Sequence, residues 1–381
     1  MHSVNMLDLT SEYALFAEEV RAAVNTVLDS QQFVGGPAIG ELEETLATRV
    51  HADHAIAVSS GTDALLVALM ALDVGPGDEV ILPAFTFFAT AGSIARVGAT
   101  PVFVDVDPDT FNIAPHAIEA AITDKTKAII AVHLYGQCAD MDAINRIAAA
   151  RNIAVIEDAA QAIGATYFDR PACSLATIAC VSFYPTKNLG GFGEGGMVFT
   201  SDDSLALTVR QLRNHGETSR YVHARIGGNF RLDTLKAAIL LVKTRYLDRF
   251  TDQRRAGAAA YDELLRDADV QTPAVATGCR HVYHQYTIQC DRRDELRSSL
   301  AASGIGAAVY YPIPLHLQEC FQTVGVHPVS LPVTEALCGK VLSLPCHPML
   351  SDADRKRVAC CVKEFLTAPK GADKTTHVAT G

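Results

Sequence analysis

The sequence contains no CxxC pair, no HExxH and no apolar run of membrane-spanning length, and each absence closes off a class of protein. Its ten cysteines are scattered, two of them adjacent at Cys360-Cys361, and its thirteen histidines do not fall at ligand spacing beside them. No metal site is therefore expected. No secretory signal is read in the chain, so reduced thiols in a cytoplasm are the expected state, with no membrane partner. Positive charge is scarce as well. Lysine and arginine number 32 against 43 aspartates and glutamates, a formal net charge of -11, which argues against a nucleic-acid partner. Neither a helix-turn-helix signature nor an internal repeat is present. Core-forming material is plentiful: 49% of the 381 residues are hydrophobic and 20% charged. That is enough for two or three domains, or for one large domain with a smaller appendage.

Taken in order, the chain predicts one amphipathic helix from Ser11 to Ser30, with Leu15, Val20, Ala23, Val24, Val27 and Leu28 sharing a face. After a break at Phe33-Val34-Gly35-Gly36-Pro37, a second helix runs from Ile39 to about His51. Strands are then expected at 55–58, 79–82, 101–106, 128–133, 153–158 and 178–183. The helices predicted between them span 64–72, 85–97, 115–122 and 141–151, and 198–200 closes the series. Strands alternating with helices at this rhythm imply βαβ units and a mainly parallel sheet, hence an α/β fold. Helices follow at 205–216 and 234–247. Composition changes near residue 247, after which a charged helix (248–267), shorter strands (282–289 and 309–311) and a helix at 351–366 are predicted. The segment 369–381 is polar and aperiodic and is expected to be disordered.

One stretch commands attention. An apolar strand, Ile178 to Phe183, runs into Tyr184-Pro185-Thr186-Lys187-Asn188-Leu189-Gly190-Gly191-Phe192-Gly193-Glu194-Gly195-Gly196. Glycines permit tight turns and close approach, so Lys187 can be held in a crevice, where a lysine loses its proton readily and becomes a nucleophile. The competing reading is a surface lysine in a flexible turn. One strand earlier, Ile153-Ala154-Val155-Ile156-Glu157-Asp158 is an apolar run ending in two acids, at the strand end where open α/β sheets bind ligands. Asp158 could simply cap a helix beginning at Ala159. Paired with Lys187, it reads as half of a pyridoxal 5'-phosphate (PLP) site, the lysine bonding the cofactor and the carboxylate keeping the pyridine nitrogen protonated. The junction Ser59-Ser60-Gly61-Thr62-Asp63, between a strand and a helix, offers amide N–H groups and hydroxyls suited to a phosphate, or an ordinary helix cap. Among Phe85-Thr86-Phe87-Phe88, one aromatic is placed to stack on a flat ring, or to pack.

Six segments carry a family resemblance. They are Ser60-Gly61-Thr62-Asp63-Ala64-Leu65, Pro83-Ala84-Phe85-Thr86-Phe87, Glu157-Asp158-Ala159-Ala160-Gln161, Ser182-Phe183-Tyr184-Pro185-Thr186-Lys187-Asn188, Gly228-Asn229-Phe230-Arg231-Leu232-Asp233 and Tyr310-Tyr311-Pro312-Ile313-Pro314-Leu315-His316-Leu317-Gln318. From Met6 to about Leu366 the chain resembles the sugar aminotransferases of the DegT/DnrJ/EryC1/StrS family, PLP enzymes of the fold-type I aspartate-aminotransferase class. The resemblance implies a three-layer αβα domain around a mainly parallel seven-stranded sheet (1–247, with N-terminal helices) and a smaller α+β C-terminal domain (248–368). It implies that Lys187 bonds the cofactor and shuttles the proton, and that Asp158 pairs with the ring nitrogen. Gln161 would lie near the ring hydroxyl, Phe87 would stack on the ring, and Gly61, Thr62 and Ser182 would hold the phosphate. Asn229 would reach the phosphate from the neighbouring subunit of a homodimer with shared active sites. Arg231, Tyr310 and Tyr311 match positions that contact the sugar nucleotide, with a bridge across the dimer (Arg231) and packing (the tyrosines) as the alternatives.

The chain departs from the family pattern at Cys173-Ser174-Leu175-Ala176-Thr177-Ile178, at Lys236 where glutamine is frequent, and at Tyr310 where histidine is common. The expected reaction moves an amino group from L-glutamate to a keto group, at C3, of a nucleotide-linked sugar. Two alternatives stand beside it. A PLP-dependent sugar dehydratase carries histidine in place of the lysine present here, and a non-catalytic PLP-binding regulator would need a DNA-binding element. The nucleotide (UDP or dTDP), the particular keto sugar and the pathway stay open at this stage.

Overall fold

The apolar runs become the strands of one sheet, because a strand covered on both faces can be apolar at every position. In the computed structural model, which describes residues 2–322 and 329–368, seven strands lie side by side. Their spatial order is His54–Val58, Gly196–Thr200, Ile178–Ser182, Ala154–Asp158, Thr126–Val132, Glu79–Pro83 and Thr100–Val104. Gly196–Thr200 pairs antiparallel with both of its neighbours, and the remaining pairs are all parallel.

Alternation along each strand divides the side chains between two cores. Ile81, Ile129 and Ala131 face a cluster with Leu42, Ile118, Ile144 and Leu240, whereas Val80, Leu82 and Ile130 face one with Leu65, Ile94 and Val209. Helices Pro37–Val50, Pro115–Ala121, Met141–Ala149 and Thr234–Thr244 thus cover one face, and Gly61–Ala71, Phe88–Arg96 and Asp203–Arg213 the other. This is the three-layer αβα arrangement.

A third core gathers Tyr261, Tyr286, Leu296, Leu342, Leu344 and Val358, around an antiparallel ribbon of Tyr286–Gln289 and Val341–Leu344. Val4 joins it by bridging to Ile305, so the start of the chain packs with its C-terminal elements. The 369–381 segment expected to be disordered lies outside the described residues.

Several predicted elements differ in the structure: no strand forms at the expected 309–311, where only Ala308 bridges to Ser343, the strand expected at 282–289 is confined to Tyr286–Gln289, and three helices change. The helix expected at 11–30 is two, Leu9–Ala14 and Ala17–Ser30, because Phe16 leaves helical geometry (φ -136°) to bury its ring against Tyr246 and Phe250. The helix expected at 85–97 begins only at Phe88; the preceding residues continue the strand edge, where Ala84 N–H bonds the Val104 carbonyl. The helix expected at 234–247 stops at Thr244, and after a turn at Tyr246 the chain continues as Leu247–Leu265.

Candidate active site

The parallel strands all end at one edge of the sheet, and a cavity of about 590 Å³ opens there. That volume is ordinary for a small-molecule site. At one wall, His54–Val58 feeds the helix Gly61–Ala71. Ser60 caps the helix, its Oγ accepting the Asp63 N–H at 3.0 Å, while Ser59 and Ser60 both donate to the Asp63 carboxylate. Residue 61 has to be glycine. A Cβ there would sit 2.6 Å from the Ser182 Cβ, so glycine alone lets the helix start and the neighbouring strand end close together. Gly61, Thr62 and Ser182 line the cavity beside the positive end of this helix, an anion-binding arrangement.

Lys187 enters from the same edge. The strand Ile178–Ser182 turns at Tyr184, whose carbonyl accepts the Lys187 N–H at 2.8 Å, and Gly191 N–H returns to the Phe183 carbonyl at 2.7 Å. Within this doubled-back loop a Cβ on Gly190 would meet the Pro185 carbonyl oxygen at 2.3 Å, so the dense glycines serve the fold-back itself. The Lys187 Nζ has no hydrogen bond or ion pair among the described residues. Enclosure by protein pulls its pKa down to about 8, against a smaller opposing pull from Asp158. A competent amine therefore exists near neutral pH.

Asp158, 5% exposed, ends its strand in the same cavity. Burial raises its pKa; the Thr90 hydroxyl, donating to Oδ2 at 2.8 Å, and the Lys187 charge pull it back. Gln161 is oriented by the main chain. Tyr135 N–H donates to its Oε1 at 2.7 Å, so its Nε2 is the group turned to Tyr311 Oη, at 3.3 Å. The Tyr135 hydroxyl in turn donates to the Tyr310 carbonyl, tying the two tyrosines to the sheet edge. Phe87 stands 56% exposed at the cavity with its ring 6.2 Å from that of Tyr311.

The structure thus brings Gly61, Thr62, Phe87, Asp158, Gln161, Ser182, Lys187, Tyr310 and Tyr311 around one cavity. Asn229 and Arg231 are elsewhere in their own chain. Asn229 bridges to Asn214, and Arg231 donates to the Asn214 side chain at 2.6 Å and lines a separate cavity with Arg210 and Arg213.

Four contributors escaped the sequence reading. Thr90 had a signal, its four-residue spacing from Thr86 within the helix predicted at 85–97. Tyr135, at φ 58°, had none, because its role depends on a left-handed backbone. His133 braces Glu157 from behind the site. His284 lines the cavity with its Nδ1 against Asn188 Oδ1 at 3.1 Å. The Asn188 amide nitrogen donates to the Val282 carbonyl, so Nδ1 carries the histidine proton and Nε2 is an acceptor. Burial, followed by the Lys187 charge, pushes the His284 pKa well down, and its ring is neutral.

Residues 15–363 match the family model described as the DegT/DnrJ/EryC1/StrS aminotransferase family. Among relatives, the chain is 50% identical to a pleiotropic regulatory protein of Geobacillus stearothermophilus, covering 95% of this chain and 98% of that one. It is 46% identical to the UDP-2-acetamido-2-deoxy-3-oxo-D-glucuronate aminotransferase of Pseudomonas aeruginosa, over 94% and 99% of the two chains. Among solved structures, DesV of S. venezuelae superposes with a TM-score of 0.95 at 41% identity, over 97% of this chain and 100% of that one. The NtdA structure from Bacillus subtilis, solved with bound PMP, superposes at 0.86 and 34% identity, over 91% and 82%.

Proposed function

This chain belongs to the DegT/DnrJ/EryC1/StrS aminotransferase family, and on that premise we propose that it transfers an amino group from L-glutamate to the C3 keto group of a nucleotide-linked sugar, with PLP as resident cofactor. The observation that carries this reading is the pairing of an unbonded, low-pKa Lys187 with a buried, sparsely bonded Asp158 across one cavity. The relatives' names support the substrate class, and the PMP bound to NtdA supports the cofactor.

The residues present fit PLP. The cradle of Gly61, Thr62 and Ser182, which a Cβ on residue 61 would push apart, offers N–H and hydroxyl donors to a phosphate. Asp158 offers a carboxylate to a ring nitrogen, Gln161 an amide N–H to a ring oxygen, and Phe87 an exposed aromatic face. When bound, the cofactor supplies an aldehyde for the migrating amine and a ring that holds the electron pair left by a broken C–H bond. The chain's own work is acid–base. Nζ of Lys187, without a hydrogen-bond or ion-pair partner among the described residues, accepts the proton leaving the donor's α-carbon and returns a proton as the ammonium. The neutral His284 adds no positive charge that would hold Lys187 further from its ammonium form.

We assign Asn229 and Arg231 to the partner's cavity in a homodimer. Their separation from their own cavity supports this, as does the apolar surface beside them, where Ile226 is 92% and Tyr221 78% exposed. Mixing Lys187→Ala chains with Asn229→Ala chains should then restore activity above that of either alone, because some dimers would hold one intact site. The cytoplasm is the proposed location, on the scattered cysteines; no helix among the described residues is long and apolar enough to cross a membrane.

The test of the function is the absorbance of the purified protein with PLP, before and after L-glutamate. A yellow band that bleaches on adding glutamate supports both cofactor and donor. A band indifferent to glutamate removes the donor, and no band removes the PLP reading. A regulatory role has one observation in its favour, the name of the Geobacillus relative. The complete lysine–aspartate pair and the acidic balance weigh against it, and saturable, sequence-dependent retention of DNA in a gel shift would revive it.

A further inference from the structure

We propose that Thr90, backed by Thr86, is a positioning residue that holds Asp158 as a carboxylate and determines which of its two oxygens stays free for a cationic ring nitrogen. The final clause rests on the PLP reading above; the hydroxyl relay does not.

A threonine inside a helix usually returns its hydroxyl to the carbonyl four residues back. Thr90, fully buried near the start of the helix Phe88–Arg96, does otherwise: its Oγ1 crosses to a strand end 68 residues away and donates to Asp158 Oδ2 at 2.8 Å. The residue four back is Thr86, whose Oγ1 lies 3.2 Å from Thr90 Oγ1. A hydroxyl carries one hydrogen. If that of Thr90 goes to the carboxylate, the second contact has to be a donation from Thr86 to Thr90. The polarity therefore runs Thr86 to Thr90 to Asp158, and it favours an ionised Asp158, the stronger acceptor, at its end.

Among the described residues no other group gives Asp158 so short a hydrogen bond. Lys187 exerts favourable charge on Asp158 without a hydrogen bond, and His133 is engaged elsewhere, its Nε2 with Glu157 and its Nδ1 accepting the Ala139 N–H. Tyr311 and Cys180 face Asp158 too; burial first, and the carboxylate's charge after it, raise the pKa of both, so they remain neutral. The Ala160 N–H reaches Oδ1 at 3.3 Å, a long bond that leaves this oxygen the less satisfied of the two. Burial alone would drive Asp158 to its protonated form, which could donate to a pyridine nitrogen but could not hold a proton there by charge. Thr90 supplies the one short, charge-assisted hydrogen bond that opposes burial.

The experiment follows the Asp158 carboxyl carbon by NMR in protein labelled at the aspartate carboxyl, across pH and without cofactor, with Asp158→Asn to identify the signal. Thr90→Val, which keeps the shape and removes the hydroxyl, should raise the titration midpoint by about one to two pH units. Thr90→Ser should restore the wild-type midpoint, and Thr86→Val should move it in the same direction by less. With PLP labelled with ¹⁵N in the ring, Thr90→Val should lose the protonated-nitrogen signal at a lower pH than wild type and bind PLP about tenfold to a hundredfold more weakly. A folded Thr90→Val protein with an unmoved Asp158 midpoint overturns the proposal. Should Thr90→Val not fold, an unmoved midpoint in Thr86→Val overturns it instead. A wild-type protein that binds no PLP would sink the functional reading, while the cofactor-free titration would still decide the relay.

Discussion

Glu157 and Asp158 are consecutive, both buried, and belong to opposite faces of the same strand end, yet their surroundings differ in kind. Glu157 is saturated: it accepts from His133 Nε2 at 2.9 Å, Cys173 N–H at 2.8 Å and Leu175 N–H at 2.6 Å. Asp158 has one short bond, one long one and a cavity in front of it. Two lysines divide in the same way, Lys243 buried and Lys187 half-buried at the cavity. Lys243 pairs with Glu12 at 3.0 Å and lies over the rings of Phe16 and Phe192, whereas the Lys187 amine has no partner among the described residues. A buried charge whose bonds are complete can only hold the fold together. One left incomplete at a cavity keeps its capacity for a ligand, and that is how the proposed reactive pair is told from its structural neighbours.

That contrast can be broken experimentally, beginning where the effect is largest. Lys187→Ala should remove turnover by roughly 10⁴-fold or more in a steady-state assay, with the unfolding transition kept. Asp158→Asn should lower kcat by about 10²–10³-fold. It should also move Lys187 further below about 8, since the aspartate charge raises it; covalent capture of PLP would then reach its maximal rate at a lower pH than in wild type. Glu157→Gln should do the reverse, costing about 1–3 kcal/mol in urea unfolding while leaving kcat of the folded protein within a few-fold. A large kcat loss with stability untouched would erase the distinction between the two acids.

The smallest effect is a pH dependence. Lys187 falls from 10.5 to about 8 on folding, so between those values the unfolded chain binds more protons than the folded one. Stability from this group is depressed below about pH 8 and recovers as pH rises toward 10.5. The difference in unfolding free energy between the cofactor-free protein and its Lys187→Met variant should show that rise. A flat difference would mean that Lys187 is not held in the enclosed state described here.

Much of this was legible in the chain. The apolar runs became the seven strands, and Ser60-Gly61-Thr62, Asp158 and Lys187 fell on the loops and strand ends assigned to them, because periodicity and turn chemistry act within about ten residues. Departures from the predicted helices arose where a buried ring or a continuing strand edge overrode local preference, as at Phe16 and at Ala84. The partners of the reactive groups were a different matter. Thr90 meets Asp158 across 68 residues, His284 meets Asn188 across 96, and Tyr135 meets Tyr310 across 175. Sequence alone determined the strand order along the chain, the lysine, the aspartate and the glycine cradle. Only the tertiary structure decided which donors complete each buried charge, which charge is left open, and that Asn229 and Arg231 stand away from their own cavity. The reason is physical: a periodic pattern records which face of an element is buried, but hydrogen-bond partners are chosen by the closure of long loops, which no local pattern encodes.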